Sequence, residues 1–285
     1  MNFKKHSLPL ICLSILTLFL ISCDGRTKES MAENSVSIQP EGTTPKPLNL
    51  SVFIDLSDRV VRTLVPSQME RDTAIINCLI DHFVVGCVNQ KIVPSKDRIR
   101  VLFYPTPSNG AIVNWAANLE VDMSTLKPAQ KRQELLDMKK NFNESLCNIY
   151  DHVLNTQDWV GCDIWDFFSS KKVDVQCIKQ GYRNVLVILT DGYLYYTPNK
   201  VKEGNAYSYV LPQTLKVPNS SLIVKRNGLE DLEVLMLEVN PYSPTQTERL
   251  MDVLETWFTQ MGVTKVSIVE TDILSNVKPY IDAFL

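Results

Sequence analysis

A chain of 285 residues, 45% of them hydrophobic, is long enough to bury one sizeable core and short for two large ones. Its 29 basic and 32 acidic residues leave a net charge of −3, which argues against a nucleic-acid partner, since that would want a basic face. Beyond the first two dozen residues no apolar run reaches the length that spans a bilayer.

The amino terminus has the pattern of a secretory signal. Lys4 and Lys5 precede an apolar stretch from Leu8 to Leu20. The following Leu20-Ile21-Ser22-Cys23 resembles the lipobox of bacterial lipoproteins. That resemblance implies a signal peptide over residues 1–22, acylation of Cys23, and a palmitate-type lipid as the membrane anchor. An ordinary cleaved signal or an uncleaved anchor helix is the alternative. Residues 23–47 are polar, contain Pro40, Pro45 and Pro47, and read as a flexible tether. The implied location is the bacterial cell envelope, with the periplasmic face and the cell surface both open.

From residue 48 onward, apolar runs of strand length alternate with helical periodicity. This predicts a single α/β domain over 48–285, a doubly wound, mostly parallel sheet flanked by helices. The first strand, Leu48 to Ile54, ends in Asp55-Leu56-Ser57-Asp58-Arg59. A capping box at Ser67 and Glu70 opens the first helix, whose apolar face runs through Ile75, Ile76, Leu79, Ile80, Phe83 and Cys87. Strands are expected at Arg98 to Tyr104 and, at the edge, within Ala111 to Val121. A long helix runs from Pro128 to about Leu154, and a shorter one follows Asp163, a candidate cap, with Gly181 a candidate stop. Asn184 to Leu189 forms a second signature strand, ending in Thr190-Asp191-Gly192. The remaining elements are a strand at Leu232 to Val239, a helix from Ser243-Pro244 to Gly262, a strand at Lys265 to Val269, and a closing helix from Ile273.

Two buried-type strands that end abruptly in carboxylates and hydroxyls mark a ligand site, because open parallel sheets bind at the carboxyl ends of their strands. Oxygen ligands of this kind suit Mg²⁺ or Mn²⁺. The two motifs together resemble the von Willebrand factor type A domain. That family carries a metal-ion-dependent adhesion site built from Asp-x-Ser-x-Ser after the first strand, a middle-loop threonine, and an aspartate after the fourth strand. Asp55, Ser57 and Asp191 match the pattern. The resemblance implies an adhesion or binding module in which an acidic group from a protein or glycan partner completes the metal's coordination.

Two departures carry information. Arg59 stands at the third motif position, and Cys162 or Asp163 where the middle threonine belongs. The expected metal ligands are Asp55, Ser57, Asp163 and Asp191, with Thr190 orienting Asp191 and Asp58 facing solvent or the turn. A capping role is the other reading of Asp163, and a buried thiol that of Cys162, which is too soft for Mg²⁺. Arg59 has two readings: it points away and leaves the metal in place, or its guanidinium occupies the cation position as a bidentate partner of Asp55 or Asp191. The second reading makes the chain a metal-free interaction or scaffold domain.

A long insertion at about 193–228 begins beside Asp191 and carries Tyr193, Tyr195 and Tyr196, either a ligand rim or a tyrosine-packed hairpin. Trp115 and the loop from Pro105 to Gly110 form another stretch of rim. Five cysteines follow the lipobox (Cys78, Cys87, Cys147, Cys162 and Cys177) with no zinc spacing, and read mainly as buried thiols, with one disulfide as the alternative for an exported chain. His82 and His152 fall inside helices away from the strand ends. No catalytic serine elbow, zinc-protease motif or phosphate-cradling glycine loop occurs. A metal-dependent hydrolase is the third reading, after the two binding modules.

Overall fold

Among the described residues, six strands form one sheet in the order β3-β2-β1-β4-β5-β6, namely β1 Leu48–Ile54, β2 Arg98–Leu102, β3 Glu120–Asp122, β4 Arg183–Leu189, β5 Leu232–Leu237 and β6 Lys265–Ile268. All neighbours are parallel except β2 and β3. The predicted α/β architecture is therefore present. The computed structural model describes residues 45–157, 161–192, 226, 228–240, 244–270 and 274–285. The lipobox cysteine, the tether up to residue 44 and the tyrosines of the insertion lie outside the described residues.

Burial on both faces explains why the central strands read as continuous apolar runs rather than alternating ones. Leu50, Val52 and Ile54 of β1, with Val185, Val187 and Leu189 of β4, pack beneath α1 (Gln68–Asn89), α2 (Gly110–Ala116), α3 (Pro128–Thr156) and α7 (Val277–Phe284). Phe53, Leu186, Ile188, Val234 and Met236 point the other way, into α4 (Ile164–Ser169), α5 (Lys172–Cys177) and α6 (Pro244–Gln260). Aromatic rings seal that second layer: Phe167 meets Phe53 at 5.1 Å, and Phe168 meets Trp257 and Phe258 at 5.5 Å each.

Local signals set several boundaries. Ser67 and Glu70 close the reciprocal capping box at the start of α1. Gly262 takes φ +90° just after α6, with the Val263 amide bonded back to the Phe258 carbonyl. Two expectations need correction. The stretch from Ala111 begins as helix α2, because the Asn109 side chain accepts from the Ala111 amide and starts a turn. The edge strand is confined to β3, antiparallel to β2. The single helix expected after Asp163 is two short ones, broken at Lys171, which is left-handed. None of the five described cysteines is paired, and Cys87, Cys162 and Cys177 are buried. Among the described residues, no helix is long and apolar enough to cross a membrane.

Candidate functional site

Strand order reverses between β1 and β4, so the crevice at the carboxyl edge opens there. Parallel register places Ile54 beside Leu189, and the next residues, Asp55 and Thr190, meet one step beyond. Thr190 Oγ1 donates to Asp55 Oδ2 at 2.7 Å, while the Ser57 amide donates to Asp55 Oδ1 at 2.8 Å. Both carboxylate oxygens are thus held by donors from the protein, and Asp55 is 2% exposed. Thr190 was expected to orient Asp191; its hydroxyl bonds Asp55 instead and also accepts from the Gly192 amide at 3.2 Å. Glycine is needed at 192 on two counts. Its φ is +91°, and a Cβ there would lie 2.9 Å from Val239 Cγ1.

Arg59 turns inward. Ser57 opens a short 3₁₀ turn over Asp58–Val61, which carries Arg59 beneath the motif loop at 1% exposure. Its Nε donates to the Asp55 carbonyl at 2.8 Å and lies 4.0 Å from Asp55 Oδ2. Its terminal nitrogens reach past Asp55 to Asp72 of α1, Nη2 to Oδ2 at 2.6 Å and Nη1 to Oδ1 at 3.5 Å. The bidentate partner is therefore Asp72, neither Asp55 nor Asp191. Burial alone would lower the pKa of Arg59, but the charge of Asp72, with smaller contributions from Tyr150, Asp55 and Asp191, drives it up.

Asp72 anchors a wider buried network. Tyr150 of α3 donates its hydroxyl to Asp72, and Gln68 Nε2 donates to Asp72 Oδ1 at 2.9 Å. Burial pushes the Asp72 carboxyl up, against the pull of Arg59 and the two side-chain donors. Arg71, next along α1, forks onto Glu238 at 2.7 and 3.0 Å. Glu238 follows β5 with φ +66°, a conformation glutamate rarely adopts, and the two-pronged ion pair holds it there.

The other expected site residues divide. Cys162 is buried against the acidic cluster; burial, then the negative charge of Asp55, pushes its thiol well above the usual range. Leu56 and Gly161 form an isolated bridge that brings this loop to the motif. Asp163 caps α4, accepting from the Asp166 amide at 2.8 Å. Asp191 lies 3.9 Å from Arg62, which also donates to the Asn240 carbonyl at 2.8 Å. Asp58 is exposed. His152 sits nearer the carboxyl edge than its place in a helix suggested: its Nε2 is 3.0 Å from Asn109 Nδ2, and Trp115 packs edge-on against its ring.

A hard divalent cation needs several oxygen donors with free lone pairs converging on one point. Around Asp55 the carboxylate oxygens face a backbone amide and a hydroxyl, a guanidinium stands within 4.0 Å, and the fourth neighbour is a thiol. Among the described residues, no three carboxylate, histidine or cysteine side chains are grouped so as to hold a metal. As packed, this donor set suits an internal guanidinium better than Mg²⁺ or Mn²⁺.

Neither family models nor curated proteins match the chain. Among solved structures, the pilus adhesin SpaC from Lactobacillus rhamnosus GG matches with a TM-score of 0.42 at 9% identity, over 85% of this chain. The chain spans 30% of that adhesin's length.

Proposed function

We propose that the chain is an envelope-anchored binding module that engages a protein or glycan partner at the carboxyl edge of its sheet, with Arg59 in the place a divalent cation would take. One observation carries this reading: the Arg59 guanidinium is buried between Asp55 and Asp72. Buried carboxylates need a positive partner, and an arginine on the chain itself supplies one at any metal concentration. In this reading the von Willebrand A-like pattern is kept for its loop geometry, and Cys23 supplies the lipid anchor.

A second reading keeps Mg²⁺ or Mn²⁺ at Asp55, Ser57 and Asp191. It is favoured by Asp55 and Asp191 following the ends of the neighbouring strands β1 and β4, with Thr190 between them bonded to Asp55. Among the described residues around Asp55, no arrangement favours a hydrolase.

Photo-crosslinking from position 58 in the producing cell tests the proposal, with position 136 on the outer side of α3 as the control. A discrete adduct specific to position 58 and insensitive to chelator is expected. An adduct abolished by chelator supports the cation reading, and no adduct from position 58 contradicts both.

A further inference from the structure

The amino edge of the sheet, opposite Asp55, is tied together by a single buried carboxylate. Asp97 Oδ1 accepts from the Leu48 amide and Oδ2 from Gln90 Nε2, both at 2.8 Å, and its carbonyl accepts from the Met123 amide at 2.9 Å. Lys131, buried in the first turn of α3, donates to the Val93 and Ser95 carbonyls at 2.7 Å. The start of β1, the α1–β2 turn and the β3–α3 turn therefore form one held surface.

Its exposed charges are all of one sign. Lys46, Lys91, Lys96 and Lys127 are exposed, and residues 45–48, 88–97 and 123–127 contain no carboxylate other than the buried Asp97. Asp122, at the border, is paired with Lys179. In a chain of net charge −3, this is a local basic field. It ends toward β5, where Glu230 and Asp231 are exposed. Interleaved with the lysines are Val88 at 52% exposure, Val93 at 53%, and exposed Pro94. The turn that displays them is strained: Lys91 and Ile92 have φ of 64° and 55°, and a β-branched residue rarely adopts that conformation.

We propose that this edge lies against an anionic lipid surface, the lysines toward headgroup phosphates and Val88, Val93 and Pro94 toward the acyl boundary. Lysines near such a surface are each attracted to it, and the apolar side chains gain by leaving water. A soluble polyanion would match the charge and leave the valines exposed. The chain enters the domain at this same edge, at Pro45, about 20 residues after Cys23 in the sequence. A lipid on Cys23 then holds the bilayer within reach. That last point rests on the acylation reading, whereas the patch itself does not. The Asp55 edge, on the opposite side of the sheet, faces away from the bilayer.

The test is co-sedimentation of the non-acylated chain from Asp24 onward, which keeps the whole described domain. The vesicles are mixed phosphatidylglycerol–phosphatidylethanolamine, against pure phosphatidylcholine. Binding to the anionic vesicles alone is expected, weakened about tenfold or more by Lys91→Glu with Lys96→Glu and unchanged by Lys140→Glu. No binding, or equal binding by the double variant, overturns the proposal. If Val88→Ser with Val93→Ser leaves binding unchanged, the surface is a general polyanion site and the lipid assignment fails. Intact-mass measurement of the chain from a bacterial host reads acylation of Cys23 separately, so the two failures are distinguishable.

Discussion

Arg59 and Asp72 meet in the interior, Nη2 to Oδ2 at 2.6 Å, with side chains 1% and 0% exposed. The pair joins the loop after β1 to the first turns of α1, and Tyr150 extends it to α3. Through Arg59 Nε the same guanidinium also holds the Asp55 carbonyl. The motif loop is therefore tied from inside the protein to α1 and α3.

Breaking that pair is expected to destabilise the domain far more than removing it. Arg59→Met leaves Asp72 buried without its cation and should cost about 3–5 kcal/mol. The double variant Arg59→Met/Asp72→Leu should recover most of the loss, since a well-packed apolar pair can match a buried ion pair. Urea unfolding of the single and double variants measures the difference. Equal loss in both would show that the pair contributes nothing through its charges.

Thr190→Val tests the contact between the two signature strands. The side chain keeps its shape but removes the donor to Asp55 Oδ2 and the acceptor of the Gly192 amide. A loss of about 2 kcal/mol is expected, with Thr190→Ser close to wild type. Denaturant titration reads both, and an unchanged midpoint for Thr190→Val would mean that water replaces the hydroxyl.

The acid side of the stability curve should depend on Glu233. Burial opposes its ionisation, but hydrogen bonds and charges from Arg183 and Lys265 outweigh it and hold the carboxyl below its ordinary 4.5. A depressed folded-state pKa means that the stabilisation is complete above the unfolded value and is lost as pH falls through the folded one. Glu233→Gln should therefore be less stable than wild type at neutral pH. It should also lose less stability from pH 4.5 downward. Melting temperatures across that range test the slope; parallel curves would contradict it.

Much of this fold was legible because its strands are buried on both faces and its helices carry explicit start and stop residues. Leu50, Val52 and Ile54 could only belong to an inner strand, and Ser67 with Glu70 announced α1. The Ala111 stretch misread because Ile112 and Val113 are β-branched, while the deciding signal was the cap at Asn109. At the site, Asp55, Ser57 and Thr190 were placed at the right strand ends, and both readings of Arg59 stood open. The missing element was Asp72, whose partnership depends on α1 folding back across the motif loop. Its signal was present: Asp72 lies four residues before Ile76 on the apolar face of α1, and an acid on such a face calls for a buried cation. Glu238 and Arg71 gave no comparable hint, since their pairing joins a strand end to a helix far away in sequence.

Manganese titration calorimetry on residues 24–285 addresses the central claim, that Arg59 takes the place of a cation beside Asp55. The account predicts no binding heat for the wild type and an unchanged melting temperature in chelator. Mn²⁺ affinity should appear only in Arg59→Ser/Asp72→Asn, where neither the guanidinium nor its carboxylate partner remains charged. Tight wild-type binding that disappears in Asp55→Ala would contradict it and establish the divalent cation instead.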